Sequence, residues 1–499
     1  MSFRKQVTNS AVWVGISTVA IKLLAFISVT LVLARVLNPK DFGVVGVAWL
    51  AINALEYFRE MGVASALVYW QKDDDGLAAD VAYIAILISS FVTYAVVFLI
   101  APGVAYFFQD TAGVVPVLRV LGLVTIINGV SQVPYTLLAK QLDFRNKAIP
   151  EIVGGIANAV LAIVLALSGF GVWSIVAGYL ADAIARSSLI WFFTTWRPRW
   201  RFDRAVWREM MGYGRHVVGS RLLIFGITNI DDLFVGRFLG TTAFGFYTFA
   251  YRLSNVPATH VTGFLNNLMF PAFSKIQNDR DRVRRGYFET LHGVGLVTIP
   301  MALGTLALGP NFVHNYYSGK WDAAIIPLEW LTIYGLMRSI SANLGSIYRA
   351  LGKPEWLTNL ALWRFLTMLI LLYPAIRWNG IIGVAMLSGI VSVFDMAIAA
   401  WGGNRLMGGG YTPYFRELGP TFLVACATAL VAYLLLPYLP APHRLFPFLV
   451  SGTVMVTLYA MIMAWLDVRF RMMALSALFR LGQLRLMLSQ RRAASRKGV

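Results

Sequence analysis

Apolar residues run for about twenty positions at a time along this chain, and the charged residues fall between the runs in short clusters. Fourteen runs stand out: residues 12–33, 44–67, 81–101, 114–138, 149–167, 172–193, 217–239, 244–268, 288–308, 325–351, 356–375, 381–401, 418–439 and 446–466. A bilayer core of ~30 Å is crossed by about 20 apolar residues in a helix, so each run predicts one span. Strands of a membrane barrel would alternate apolar and polar over about ten residues, and these runs are continuous. The pattern predicts an all-α integral membrane protein with about 14 transmembrane helices.

The clusters between the runs then set the orientation. Even connections hold Lys140, Arg145 and Lys147, then Arg197, Arg199, Arg201, Arg204, Arg208 and Arg215, then Lys275, Arg280, Arg282, Arg284 and Arg285. Odd connections carry little beyond Arg35, Lys40, Arg237, Lys320, Arg377 and Arg444. Cytoplasmic loops collect Lys and Arg, so the even connections and both termini are expected in the cytoplasm. Arg4 and Lys5 precede a run too long for a signal-peptide core, which predicts a retained first span. One connection departs from the scheme: QKDDDGLAAD, after the second run, is acidic. Acidic residues contribute little to orientation.

The net charge of +19 is then mostly a topology signal, with attraction to anionic headgroups added. The stretch WRPRWRFDRAVWREMMGYGRH, residues 196–216, interleaves arginines with aromatics as a single-stranded nucleic acid site would. Flanked by spans, it reads instead as the cytoplasmic link between two halves, with Trp196, Trp200 and Trp207 at the headgroup level. No nucleic acid partner is expected. After Asp467, Met472, Leu475, Phe479 and Leu486 share a helical face with Arg480 and Arg485 among them, which predicts a basic amphipathic tail on the membrane surface.

The chain also repeats itself. ARVLNPKDFGVV, from Ala34, and GRFLGTTAFGFY, from Gly236, match without a gap at Arg35/Arg237, Leu37/Leu239, Phe42/Phe244 and Gly43/Gly245. GVWSIVAG from Gly171 and GVAMLSG from Gly383 stand in the last span of each half. Two six-helix lobes around a central cavity, plus two extra C-terminal helices, are therefore expected. The boundaries are 1–199 for the first lobe, 200–405 for the second, 406–467 for the last two spans and 468–499 for the tail. Two parallel lobes suit alternating access.

LARVLNPKDFGVVGVAWLAINALEYFREMGVASALVYWQ near the start, QVPYTLLAKQLDF after the fourth span, GVWSIVAG in the sixth and WRPRWRFD after it carry a further signal. Over the full chain they resemble the Wzx-type, polysaccharide-transport branch of the multidrug/oligosaccharidyl-lipid/polysaccharide exporter superfamily. The resemblance implies a flippase of the bacterial inner membrane. It would carry an undecaprenyl-diphosphate-linked oligosaccharide from the cytoplasmic to the periplasmic leaflet, with membrane lipids and polysaccharide polymerase and assembly proteins as partners.

An ionised side chain at mid-bilayer costs about 2.5–3.5 kcal/mol on insertion scales and tends to face a cavity or a partner. Lys22 lies in the first span, Glu56, Arg59 and Glu60 in the second, Arg221, Asp231 and Asp232 in the seventh and Arg252 in the eighth. The resemblance implies that these spans line the cavity. Lys22, Arg59, Arg221 and Arg252 are candidates to hold a diphosphate, the arginines through two oxygens at once and Lys22 as a point charge. Glu56, Glu60, Asp231 and Asp232 are candidates to anchor those cations or to bind a coupling ion, H+ or Na+. Glu56 lies within one helical turn of Arg59 and could neutralise it.

Chemistry of other kinds finds little purchase. Cys426 is the only cysteine, and the five histidines lack metal-ligand spacing, so no metal site or cofactor is expected. GSIYRALGKP, from Gly345, has six residues where a phosphate loop has four, and a proline where Ser or Thr would bind magnesium. The chain is not expected to be an enzyme. The alternatives are an ion-coupled exporter of cationic drugs and a membrane polysaccharide polymerase, the latter usually carrying large outer loops that this chain lacks.

Overall fold

The computed structural model describes residues 20–60, 62–70, 75–255, 269–440 and 444–472, with Trp13, Gly15, Ser17 and Thr18. Where described, the fourteen apolar runs lie on helix, with turns at Gly62, at Gly122 and at run ends, and the described residues contain no strand. The expected tail beyond Met472 lies outside the described residues. Helix α1 covers residues 20–36, with wider, π-type turns over Phe26–Leu33. It is followed by α2 (Pro39–Glu60), α3 (Val63–Tyr69), α4 (Leu77–Phe107), α5 (Thr111–Leu121), α6 (Leu123–Lys140), α7 (Phe144–Leu167) and α8 (Val172–Phe193). The run Arg204–Ser254 is broken at Gly240 (φ 79°, ψ 177°), which separates α9 from α10. Then come α11 (Arg280–Tyr317), α12 (Ile325–Ala350), the run Glu355–Met407 broken at Asn379 and Gly380 into α13 and α14, α15 (Thr412–Leu435) and α16 (Phe446–Leu466).

Helix starts follow from local chemistry. Asp110, Asp143 and Asp279 each accept the backbone N–H three residues on, at 3.1, 3.2 and 3.0 Å, and so satisfy a donor that the helix itself cannot. Gly171 opens α8 at φ 55°, ψ −132°, and Gly380 opens α14 at φ 52°, ψ −134°. That conformation is open to glycine and closed to residues with a Cβ. Backbone geometry thus pairs Gly171 with Gly380, three residues before the Gly383 that the motif match selects. At Gly383 a Cβ would strike the carbonyl of Ala375, so this glycine serves helix packing instead.

The chain divides into two compact units. The first holds the described residues up to Leu253 with Gly319–Pro327 and Ala361–Ser388; the second holds Ser254–Ser318, Leu328–Leu360 and the described residues from Gly389 on. The second is tied by aromatic and polar contacts. Tyr287, Phe288 and Tyr414 meet edge to face at 5.0–5.9 Å, and Tyr348 stacks on Trp356 while donating to the Ala399 carbonyl at 2.6 Å. His292, buried on α11, shares a hydrogen bond between its Nδ1 and the Glu417 carbonyl at 3.2 Å, and its Nε2 lies 2.7 Å from the Asp467 carboxylate, which sets the last two spans against α11.

In the first unit the two repeat motifs meet each other. A Cβ on Gly43 would collide with the carbonyl of Thr241, and one on Gly245 with the carbonyl of Pro39; each lies 3.1 Å from the other glycine's N. The starts of α2 and α10 therefore cross with backbone against backbone, as small residues allow in membranes. Around the crossing, the buried Trp321 takes the rings of Phe42, Phe246 and Phe249 at 5.3, 5.8 and 4.2 Å and donates its indole N–H to the Ala34 carbonyl at 2.7 Å. Lys320 donates to the carbonyls of Arg35, Val36 and Leu37 at 3.1–3.3 Å, satisfying the C-terminal end of α1. Asp110 accepts from Thr241 at 2.8 Å and pairs with Lys40 at 3.3 Å. Burial pushes the Asp110 carboxyl up, but the bonds from Thr241 and Gly113 and the Lys40 ammonium outweigh it, so the group sits below the usual carboxylate range.

At the other end of the same unit the acidic connection finds its purpose. Asp80, 1% exposed, accepts from the Arg201 guanidinium at 2.8 Å and the Arg199 backbone at 3.2 Å, and Asp75 pairs with Arg199 at 2.7 Å. Tyr83 is ringed by Trp191, Trp196 and Trp200 at 5.6–6.0 Å. The basic link is thus folded onto the described part of that connection, at Asp75 and Asp80.

Two outcomes test the crossing. Gly43→Ala and Gly245→Ala each lower the thermal unfolding midpoint of the purified protein, at a cost of about 3 kcal/mol, whereas Gly103→Ala, whose Cβ would meet nothing within 4 Å, leaves it unchanged. Asp110 contributes stability above the ordinary carboxylate pKa and loses it as pH falls through its own lowered pKa. Asp110→Asn is therefore expected to cost about 1–3 kcal/mol at pH 7, with the difference from wild type shrinking as melts are taken from pH 5 down to pH 3.

Candidate functional site

A cavity of about 370 Å³ lies within the first unit, lined from α1, α2, α7, α8, α9 and α10. Its walls differ in chemistry. One wall presents Trp49 and Asn53 of α2, Asn158 of α7 and Tyr179 of α8. The other presents Asn229 and Asp232 of α9 and Thr248 and Arg252 of α10. Val29, Leu33, Phe42, Phe244 and Phe249 close it toward the glycine crossing.

Local structure explains each placement. Trp49 and Asn53 are four residues apart on one helical face. Trp49 meets Tyr179 edge to face at 4.9 Å. Gly178 lets α7 and α8 come close: a Cβ there would stand 2.9 Å from Ala162 and 3.1 Å from the Asn158 carbonyl and side-chain oxygens. That approach brings Asn158 beside Tyr179. On the charged wall α9 departs from helical geometry at Asn229 (φ −122°, ψ 15°), whose amide turns back to the Phe225 carbonyl at 2.9 Å. Asp231 and Asp232 stand just after this irregularity, where a restarting helix favours negative charge. Asp231 accepts from the buried Tyr247 hydroxyl at 2.7 Å, and Asp232 faces the cavity.

The eight charges singled out from sequence reach different places. Arg252 and Asp232 line the cavity. Arg221 forms an ion pair with Glu60, joining α9 to α2, with Tyr57 and Phe225 in edge contact at 5.9 Å. Arg59, 1% exposed, is paired with Glu56 one turn away, and its own carbonyl accepts from Ser89 at 2.7 Å. Lys22 is exposed on α1 and is not among the lining residues. Sequence reading had not singled out Asn53, Asn158, Asn229, Trp49 or Tyr179. Their signal was a neutral amide inside an apolar run, weaker than a charge because an amide is far less costly to bury.

A family model described as polysaccharide biosynthesis protein matches residues 32–326. The chain is similar to the lipopolysaccharide biosynthesis protein WzxC of Escherichia coli (strain K12), 24% identical over 438 residues, covering 87% of this chain and 88% of that one. It resembles a solved structure of the lipid II flippase MurJ in an inward closed conformation, with TM-score 0.71 and 13% identity over 94% of this chain and 100% of that one. An inward-facing multidrug resistance MATE family transporter of the MOP superfamily follows with TM-score 0.63 and 15% identity, covering 80% of this chain and 98% of that one. At such identities the two structures speak for the fold alone, a multi-pass helical plan.

The Arg221–Glu60 pair gives the test of this region. Arg221→Glu alone places two carboxylates together and lowers the unfolding midpoint, and Glu60→Arg does the same with two cations. The exchanged double variant is expected to recover at least half of the loss in a double-mutant cycle; strictly additive losses would mean that the two side chains do not interact.

Proposed function

Because the chain belongs to the polysaccharide biosynthesis protein family, we propose that it is a flippase for a polyprenyl-diphosphate-linked oligosaccharide, working in the bacterial inner membrane with both termini in the cytoplasm. It moves the lipid from the cytoplasmic to the periplasmic leaflet for assembly of a surface or exported polysaccharide. The observation that carries the reading is the cavity itself, which pairs one cationic wall residue, Arg252, with a set of neutral amides and aromatic rings. A diphosphate asks for a planar cation able to take two oxygens, and an oligosaccharide asks for neutral donors and acceptors. The MATE-like fold is shared with a drug transporter, so the fold does not choose between cargoes; the family match and the Wzx relative favour lipid-linked sugar.

In this reading Arg252 binds the diphosphate, and Asp232 beside it takes a coupling ion or turns the cation toward the cavity. Arg221 reaches phosphate when Glu60 releases it, so the pair joins substrate entry to a change in helix packing. The buried Arg59, paired with Glu56 one turn away, positions α2. Lys22 meets the headgroup on its way in, outside the cavity. Movement is alternating access, in which the backbone crossing at Gly43 and Gly245, with Lys320 and Trp321 around it, must part to release the lipid outward. No covalent chemistry is required, so the protein is a transporter and not an enzyme.

Leaflet transfer in proteoliposomes tests the reading. A polyprenyl-diphosphate-linked oligosaccharide is placed on one side and a membrane-impermeant glycosidase on the other. Wild type is expected to deliver substrate, and Arg252→Ala to lower the initial rate at least tenfold, with Arg252→Lys recovering part of it. Transfer of small organic cations without any lipid-linked sugar would instead make this a drug exporter.

A further inference from the structure

We propose that the first unit carries a lipid site apart from the cavity. A groove between α2, α4 and the basic link binds one anionic glycerophospholipid of the cytoplasmic leaflet, with an acyl chain along α4 and the phosphate at Arg204 and Arg208. The proposal takes from the flippase reading only that the link lies at the cytoplasmic surface, and it holds for any cargo.

Three observations carry it. First, the groove suits hydrocarbon. It encloses about 570 Å³ and shares no lining residue with the cavity. Its floor is the stripe of α4 from Ala85 to Val96, where lining residues recur every three or four positions and so share one helical face. Helix α2 adds Leu55 and Phe58, and the link adds Phe202 and Trp207, whose rings lie 6.4 Å apart. Polar groups are few: the Ser89 hydroxyl already donates to the Arg59 carbonyl at 2.7 Å, which leaves the Thr93 hydroxyl and the Trp207 indole.

Second, its length is that of one leaflet. The eleven positions from Ala85 to Val96 rise about 16 Å, and half of a ~30 Å hydrocarbon core is about 15 Å. The stripe begins beside the link, since Asp80 and Tyr83, just before Ala85 on α4, are the residues that hold Arg201 and Trp200. An acyl chain running from the cytoplasmic surface to the bilayer midplane fits it, whereas a polyprenyl tail is much longer.

Third, cations stand beside the groove. Arg199 and Arg201 are engaged by Asp75 and Asp80, and Arg197 by the Thr194 and Trp196 carbonyls. Arg204 and Arg208 are exposed, and among the described residues neither has an ion-pair partner. They stand one turn apart on α9, and Val206, Trp207 and Met210, packed against α3 and α4, turn them outward. Side chains so spaced have Cβ atoms about 5–6 Å apart, within reach of one phosphate, which a guanidinium takes through two oxygens. A zwitterionic headgroup would bring an ammonium against the same arginines. Each basic residue at an anionic surface is worth about fivefold in binding, so the pair gives a preference above tenfold.

The experiment uses the full chain in nanodiscs, with a trace of phospholipid bearing a photoreactive group midway along one acyl chain, as phosphatidylglycerol or as phosphatidylcholine. Labelling of peptides containing Ala85–Val96 is expected to be at least tenfold greater with phosphatidylglycerol. Arg204→Gln with Arg208→Gln brings the two lipids within twofold of each other, whereas Arg280→Gln with Arg282→Gln, which removes the same charge from another connection, keeps the preference. Val92→Trp, which fills the groove and leaves both arginines, lowers phosphatidylglycerol labelling at least tenfold. Equal labelling in wild type would overturn the proposal, leaving bulk bilayer lipid in the groove, as would a preference that survives loss of both arginines. Labelling displaced by unlabelled polyprenyl phosphate but not by unlabelled phosphatidylglycerol would assign the groove to the cargo's tail and overturn it equally. The readout needs no transport: a selective lipid site in a protein that fails leaflet transfer defeats the flippase reading alone, and transfer without lipid preference defeats this proposal alone.

Discussion

Everything in the first unit is arranged around one close approach, the contact of the α2 and α10 backbones at Gly43 and Gly245. In a bilayer, lipid chains are as apolar as the side chains they would release, so helices associate through packing, and the closest packing needs residues without side chains. Two glycines in facing positions permit it. Once the helices touch there, Phe42 and Phe244, the neighbours of these glycines, are carried into the core, Trp321 fits among the rings, and the carbonyls ending α1 come within reach of Lys320. The same two helices also line the cavity, through Trp49 and Asn53 of α2 and Thr248 and Arg252 of α10.

The polar groups within the spans obey a second constraint, that each ionised group needs a partner or a wet surface. The solutions differ in cost and consequence. Arg59 with Glu56 is local, one turn apart, and its guanidinium is buried. Arg221 with Glu60 bridges two helices and is half-exposed, so it can exchange partners. Arg252 and Asp232 face a cavity instead. Removing Glu56 would leave the buried Arg59 guanidinium as an uncompensated charge.

Much of the fold was legible in the chain. The length of each apolar run against the bilayer thickness set the number and kind of elements, and helix breaks at Gly240 and Gly380 fall between predicted spans. The motif pair around Gly43 and Gly245 was legible as a repeat, although nothing in it said that the two copies would touch. The second repeat was misplaced by three residues, because matching letters selected Gly383, whereas φ and ψ at Gly171 and Gly380 carry the equivalence. The candidate site was legible in part: charges inside spans stand out, and neutral amides such as Asn53 and Asn158 do not.

The acidic connection after the second span shows where the boundary runs. From the chain it was an exception to a charge rule; in the fold Asp75 and Asp80 receive Arg199 and Arg201, over a hundred residues away. The sequence by itself determined what each segment does against the solvent: which runs enter the bilayer, which end of each carries the positive charge, and which stretches are copies of one another. These are one-dimensional properties, settled by composition along a helix of known rise. Only the tertiary structure decided which side chains meet, since that depends on the rotation of each helix about its axis and on how closely its neighbours approach. Those two quantities separate Arg252 in the cavity from Arg59 in the core, and both are set by contacts between residues far apart in the chain.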